Sequence, residues 1–257
     1  MSVIAITRDV SPRFDHCELT HIERTPIDLD RARLQHQNYV EALKDLDCQV
    51  IELPAEPDLP DSVFVEDTAI ILPEVAVITR PGAASRKPET ESIARALASL
   101  TKLLYVREPA TVDGGDVLVL GKRIYVGLST RSNRDAIFQL NELLGGYGYS
   151  VTGVELHDCL HLKSAVTRVD DETLLINTNW VDAAHFAGYD LIEVDPSEPF
   201  AANCLPIDDS IVFPAAFPKS RAKLEERGYR IVTVDVSELA KAEGAVTCCS
   251  LIIPQKP

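Results

Sequence analysis

Four short pairs of apolar runs recur along the chain, and their starting points lie about 40 to 50 residues apart. The pairs are residues 66–72 with 75–79, 116–120 with 124–127, 164–169 with 173–177, and 203–207 with 210–213. Pro73-Glu74, Gly121-Lys122-Arg123, Asp170-Asp171-Glu172 and Asp208-Asp209 join them, and polar turns of this length between apolar runs predict β-hairpins. After most pairs comes a helical pattern. Residues 90–100 carry Ile93, Leu97 and Leu100 on one face, residues 133–144 carry Ile137, Leu140 and Leu144, and residues 219–227 form a shorter, more charged version. Strands at 102–106, 150–156 and 229–234 follow these helices. Near the N-terminus a helix at 29–46 and a strand at 48–53 lack a hairpin before them, while a strand at 249–253 lies one interval beyond the fourth hairpin. The two ends therefore complete one another, and the chain reads as about five ββαβ units in a propeller-like or stacked array. The competing arrangement is an irregular α/β sheet whose spacing is accidental.

With 257 residues and 46% hydrophobic content the chain can bury a substantial core. No Gly/Ser linker or low-complexity run divides it, so residues 1–257 are expected to form a single domain. A net charge of −15 argues against nucleic acid or an anionic membrane surface as a partner and is compatible with a small cationic substrate. The first residues have no basic leader and reach charged residues too soon for a signal peptide, and no window approaches a membrane span. A cytoplasmic protein is the expectation. The six cysteines show no CxxC pairing, which argues against a disulfide framework or structural zinc and predicts that most are small buried hydrophobes.

Residues able to do chemistry fall at the unit boundaries. Asp61, Glu66 and Asp67 flank the first hairpin, Asp113 and Asp116 begin the second, His161 precedes the third, Asn203 and Cys204 open the fourth, and Cys248 opens the last strand. Each has a plain alternative. Asp113-Gly114-Gly115-Asp116 also reads as a tight turn, His161 as a hydrogen-bonded core histidine, and Asp61, Glu66 and Asp67 as a solvated edge. Cys248 and Cys249 would point to opposite faces if both stand on a strand, which leaves Cys249 as packing. In a propeller, corresponding positions of different units converge on the central axis, so a thiol, an imidazole and a carboxylate would meet there as a nucleophilic cysteine site.

The chain resembles the dimethylarginine dimethylaminohydrolases, members of the guanidine-modifying pentein superfamily. The resemblance runs nearly end to end through Pro60-Asp61-Ser62-Val63-Phe64-Val65-Glu66-Asp67, Ile78-Thr79-Arg80-Pro81-Gly82-Ala83 to Arg86, Asp113-Gly114-Gly115-Asp116-Val117, Gly127-Leu128-Ser129-Thr130-Arg131-Ser132-Asn133, Leu160-His161-Leu162-Lys163, Ala201-Ala202-Asn203-Cys204 and Thr247-Cys248-Cys249-Ser250. It implies a five-bladed α/β propeller of pseudo-fivefold symmetry. It also implies Cys248 as nucleophile, His161 as general acid and base, and Asp113 as the carboxylate partner of His161, where some members have Glu. Glu66 and Asp67 would hold the guanidinium together with Asp113, Arg86 and Arg131 would bind the α-carboxylate, Asp61 and the backbone at Leu19 would take the α-amine, and a backbone contact near Ala242 would add to these.

The chemistry suits those residue types. A guanidinium carbon is a poor electrophile until its charge is localised, so a thiolate must be held against it, and positive charge from an imidazolium or from the substrate itself favours that thiolate. Carboxylates fix planar N–H groups, and the fork of Arg matches a carboxylate. The implied reaction turns asymmetric dimethylarginine or monomethylarginine into citrulline and the methylated amine. Deiminase relatives typically carry Asp two residues after the catalytic His, where this chain has Lys163. The lost acceptor suits a methylated nitrogen with fewer donors. No cofactor is implied, a Cys248–His161 pair could take zinc as an inhibitor, and a homodimer is compatible with the resemblance. The alternatives are an arginine deiminase-like hydrolase, a non-catalytic pentein binding protein, and a redox protein using adjacent Cys248 and Cys249.

Overall fold

In the computed structural model, which describes residues 3–254, the chain forms five three-stranded sheets. Every sheet follows one rule: its first strand in the hairpin runs antiparallel to the middle strand, and its third runs parallel to the middle strand. One sheet joins the two ends of the described chain, with β1 (Val3–Arg8) between β2 (Cys48–Leu53) and β15 (Leu251–Pro254). The others are contiguous in sequence. They comprise β3 (Ala69–Ile71), β4 (Ala76–Ile78) and β5 (Leu103–Tyr105); β6 (Val117–Leu120), β7 (Arg123–Leu128) and β8 (Ser150–Glu155); β9 (Val166–Arg168), β10 (Thr173–Ile176) and β11 (Asp190–Glu193); and β12 (Leu205–Ile207), β13 (Ser210–Pro214) and β14 (Arg230–Val234). The architecture is the pentein five-bladed α/β propeller.

The crossovers are the helices that periodicity predicts. Helix α1 (Leu29–Asp45) starts where the Asp28 carboxylate accepts from the amides of Asp30 and Arg31, and α3 (Arg134–Leu144) starts where Asn133 accepts from Ala136 N. Helix α2 (Glu89–Leu97) buries Ile93 and Leu97, and α5 (Pro218–Glu226) opens on the proline that suits a first helical turn. Shorter helical turns are α4 (Leu162–Ala165) and α6 (Ser237–Ala240). The sheet of β10 has no α-helical crossover. A single 3-10 turn, Ala183–Phe186, carries the chain to β11, because residues 177–189 have no 3.6-residue apolar period to sustain a helix. That third strand escapes the sequence reading for the same reason.

The first strand of each hairpin faces the propeller axis. A cavity of about 740 Å³ is lined by residues of β3, β6, β9, β12 and β15, one strand from every sheet. It is also lined by hairpin tips at Pro73, Glu74, Gly121, Lys122, Asp171 and Asp208, and it ends against Glu66, Lys163 and Thr247. Since each hairpin tip lies at the far end from its entry, the entries with their acidic and thiol residues gather at the other end of the axis. Apolar clusters fill the space between neighbouring sheets. No helix among the described residues is long and apolar enough to cross a membrane.

Candidate active site

Strands start later at the axis than alternation predicts, because the residues just before them fold into tight turns. Val65–Thr68 and Gly114–Asp116 are 3-10 turns, and residues 162–165 form one turn of α-helix where a strand was expected. These turns bring their polar side chains together. Close approach requires the two glycines of Asp113-Gly114-Gly115-Asp116: a Cβ on Gly114 would stand 1.9 Å from Glu66 O, and one on Gly115 would stand 2.6 Å from His161 Nδ1 and 2.8 Å from Asp67 Oδ1. The string is therefore a packing device for the site as well as a turn.

His161 lies within 3.2 Å of Asp113 Oδ2 through Nε2 and 4.0 Å from Asp67 Oδ1. Asp113 is held in turn, accepting from Gly82 N at 2.9 Å, and its own amide donates to Ser132 Oγ at 3.1 Å. Burial disfavours the imidazolium, but Asp67, the hydrogen-bonded Asp113 and then Asp116 outweigh it and raise His161 to about 9. Burial likewise works against ionised Asp67, and the charges of His161 and Arg86 overcome it and hold that carboxyl well below its ordinary range. Cys248 moves the other way. Burial first, then the Glu66 and Asp67 carboxylates, push its thiol well above the ordinary value. At neutral pH the site thus holds an imidazolium among carboxylates and a neutral thiol, both of which feel the charge of Asp67.

Cys248 and Cys249 sit in a turn that precedes β15, so strand alternation does not separate them. They diverge nonetheless: Cys249 is wholly buried in the apolar cluster with Tyr39, while Cys248 is half-buried. Cys17, Cys48, Cys159 and Cys204 are free and buried, as their spacing predicts. The Cys248 backbone is braced on both sides. Its carbonyl accepts from Glu66 N at 3.1 Å, and Asn203 Oδ1 accepts from Thr247 N at 3.1 Å.

Glu66 and Lys163 occupy places the sequence reading did not foresee. One Glu66 oxygen accepts from Lys163 Nζ at 2.5 Å and the other from Thr247 Oγ1 at 2.7 Å. Glu66 therefore braces the Cys248 turn, and Lys163 is its counter-ion. Arg86 is equally engaged. Nε and Nη2 donate to Glu89, Nη2 also donates to the carbonyls of Asp61 and Phe64, and Nη1 donates to Asp67 Oδ2 at 2.5 Å. Among the described residues only Asp67 accepts from Nη1, which leaves it one hydrogen. Burial raises Glu89 to about 7, partly offset by Arg86.

A strap at residues 17–28 crosses the catalytic end. Asp61 accepts from Glu18 N through both oxygens, Ser85 Oγ donates to Glu18 Oε1 at 2.5 Å, and Arg131 Nη2 donates to Thr20 Oγ1 at 3.1 Å. Glu243 closes the strap by accepting from Thr20 N and His21 N, each at 2.7 Å, from a backbone at φ 60°. Leu19 packs its side chain on the cluster that contains Ala242. Leu19, Asp61 and Arg131 thus meet around the strap, with Ala242 next to the residue that holds it down. Asp67, Asp113 and His161 each bring a ligand atom within 4.8 Å of the others, a set that could hold a metal ion and that does not include Cys248.

Several supporting residues carried no role in the sequence reading: Glu89, Ser129, Ser132, Glu243 and Thr247. Ser129 and Ser132 stand in the Gly127-to-Asn133 string, and Glu89 stands three residues after Arg86, a spacing that marks a helical ion pair. Glu243 left no signal, since nothing in its neighbourhood announces a contact more than 200 residues away.

The chain is similar to known proteins in sequence and fold. The profile of the family described as "N,N dimethylarginine dimethylhydrolase, eukaryotic" matches residues 19–253. The N(G),N(G)-dimethylarginine dimethylaminohydrolase of Streptomyces coelicolor is 38% identical over 248 residues, covering 96% of this chain and 95% of that one. The enzyme of the same name from Pseudomonas aeruginosa is 36% identical over 226 residues, covering 87% and 89%. A solved structure of the Pseudomonas aeruginosa protein, a cysteine-to-serine mutant complexed with citrulline, superposes with a TM-score of 0.94 at 33% identity, covering 98% of this chain and 100% of that one. The chain belongs to the dimethylarginine dimethylaminohydrolase family and is a hydrolase of that type.

Proposed function

We propose that this protein hydrolyses Nω-methylated arginines, asymmetric dimethylarginine and monomethylarginine, to citrulline and dimethylamine or methylamine through a covalent intermediate on Cys248. The observation that carries the reading is the buried imidazolium of His161 between Asp67 and Asp113, with Asp67 also acting on a Cys248 thiol that burial and carboxylates keep neutral. A cationic substrate supplies what the resting thiol lacks. Its guanidinium offsets the carboxylates around Cys248, the thiol loses its proton to solvent, and the thiolate attacks the guanidinium carbon. His161 gives its proton to the departing amine as that C–N bond breaks, and a thiouronium-type adduct remains on Cys248. Neutral His161 then takes a proton from water, which attacks the same carbon, and the thiolate leaves as citrulline forms.

Asp67 is the chief guanidinium acceptor, while Glu66 contributes by holding the Cys248 turn. Arg131 takes the α-carboxylate with the remaining Nη1 hydrogen of Arg86, and Asp61 with the Leu19 backbone takes the α-amine. The Thr20 hydroxyl now on Arg131 marks where a carboxylate oxygen would exchange in. Two residues after His161 stands Lys163, which offers no acceptor and pairs with Glu66, and this favours a methylated nitrogen over a primary one. Zinc, as an inhibitor, would take Asp67, Asp113 and His161.

The test is a panel of arginine, its mono- and dimethyl forms and agmatine, assayed for ureido product and released amine. The expected result is turnover of the methylated arginines, none in Cys248→Ser, and most of it kept in Cys249→Ser, whose hydroxyl can donate to Ala245 O as the thiol does. Mass spectrometry of quenched reactions should place the adduct on Cys248. An adduct on Cys249, or preference for unmethylated arginine, would overturn the reading.

A further inference from the structure

Asp116 is completely buried, and no step of the reaction above touches it. Its carboxylate nevertheless joins three parts of the site. Oδ2 accepts from the hydroxyls of Ser129 at 2.5 Å and Ser132 at 2.6 Å, and Oδ1 accepts from Leu162 N at 3.0 Å. Leu162 directly follows His161, so that contact fixes the backbone from which the imidazole projects. Ser132 Oγ accepts from Asp113 N at 3.1 Å, and Ser129 Oγ accepts from Arg131 N at 3.0 Å and Ser132 N at 3.2 Å. Room for the carboxylate is reserved by Gly127, where a Cβ would stand 2.7 Å from Asp116 Oδ1.

A hydroxyl has one hydrogen. A carboxylate offers acceptors only, so Ser129 and Ser132 must each send that hydrogen to Asp116, and their oxygens are then free only to accept from the amides of Arg131, Ser132 and Asp113. The direction of every hydrogen bond in the network follows from the one acceptor at its centre. We propose that Asp116 is a positioning residue that sets where His161, Asp113 and Arg131 stand, through Leu162 N for the His161 backbone, through Ser132 for Asp113 and through Ser129 chiefly for Arg131. This rests on the roles given above to those three residues. Burial raises Asp116 to about 6, partly offset by His161 and the two serines, in keeping with a carboxyl held in place by its surroundings.

The two arms make different demands on kinetics, and a merely structural carboxylate would not. Ser132→Ala should lower kcat for dimethylarginine about tenfold with KM little changed, because Asp113 acts through His161 in the chemical step. Ser129→Ala should raise KM about tenfold for dimethylarginine and leave a methylated guanidine without an α-carboxylate unaffected. Asp116→Asn can keep an oxygen for the two serines only by turning its amide hydrogens against Leu162 N–H, so the backbone that carries His161 loses its anchor and kcat should fall about a hundredfold. The second measurement needs no substrate. In ¹⁵N-histidine spectra, with His161 assigned by its loss in His161→Asn, the hydrogen-bonded Nε2–H signal should persist in the wild type and vanish in Asp116→Asn. Equal changes of kcat and KM in both serine variants, or an Asp116→Asn protein with an unaltered His161 signal, would overturn the proposal. Should Asp116→Asn fail to fold, the two serine variants decide. Should the wild type not hydrolyse methylated arginines, the functional reading fails while the histidine spectra still judge Asp116.

Discussion

Two histidines are almost equally buried in this molecule, His36 at 4% exposure on α1 and His161 at 5% at the axis, and their chemistry is opposite. His36 Nε2 has no hydrogen-bond partner, and burial lowers the group to about 4 against a weak pull from Glu52. His161 suffers the same burial, yet Asp67, Asp113 and Asp116 surround it and raise it to about 9. Burial by itself therefore decides nothing about a titrating group. What matters is whether the fold has collected opposite charge around it, and here tight turns from separate blades do the collecting.

The largest effect should come from making the axis resemble the α1 pocket. Asp113→Asn keeps the shape of the partner and removes its charge, so His161 should drop toward its ordinary value and kcat should fall about a thousandfold, with the alkaline limb of the pH profile moving to lower pH. Steady-state rates between pH 6 and 10 check this. In the wild type, kcat/KM should rise from neutral pH as Cys248 becomes easier to ionise and fall once His161 loses its proton near pH 9.

Arg86 competes with His161 for Asp67, so Arg86→Ala tests how the charges are shared. The substitution leaves Glu89 and Asp67 buried without their cation, and a loss of about 3–5 kcal/mol in unfolding free energy is expected from denaturant titration. Arg131→Ala removes a side chain whose contacts are longer, to Thr20 and Asp113, and should instead raise KM for amino-acid substrates with little loss of stability. A similar stability loss in both variants would contradict this division.

The α1 pocket can be tested directly. A histidine with a depressed folded pKa binds its proton more readily in the unfolded chain, so its contribution to stability is fully present above about 6.5 and is lost as pH falls toward 4. His36→Phe removes this, and the stability difference between wild type and variant should change by about 2 kcal/mol between pH 7 and pH 5. A constant difference would mean that His36 does not titrate as its surroundings require. The smallest effect is expected at the strap. Glu243→Ala frees the Thr20 and His21 amides, so KM should rise about tenfold and those amides should exchange faster with deuterium, while kcat holds.

What could be read in the chain beforehand follows from distance in sequence. Hairpins, helices and the pairing of the two ends leave local or periodic marks, and the strings around Asp113, His161 and Cys248 mark the groups to which the proposed chemistry is given. The supports of those groups do not announce themselves. Asp116 looks like a turn residue, the bracing of the Cys248 turn by Glu66 through Thr247 leaves no local mark, and nor does the pairing of Lys163 with Glu66. Residues 66–68, 116 and 164–165 read as strand in the sequence, and 113–116 also as a tight turn, whereas they belong to single helical turns, which are too short to show a period.

Four of the five sheets are contiguous in sequence, whereas β15 must find β1 across nearly the whole chain, pairing Ile4 with Ile253. Loop closure makes such a contact slow to form, and during synthesis β15 follows every strand it must join to. Cys248 lies just ahead of that strand, so its sulfur enters its place only when the ring clasps shut. A partly made chain therefore carries carboxylates and an imidazole at its axis without the thiol proposed to act with them. Pulse-labelled exchange during refolding, with β15 amides protected after those of the four contiguous sheets, is the signature of that order.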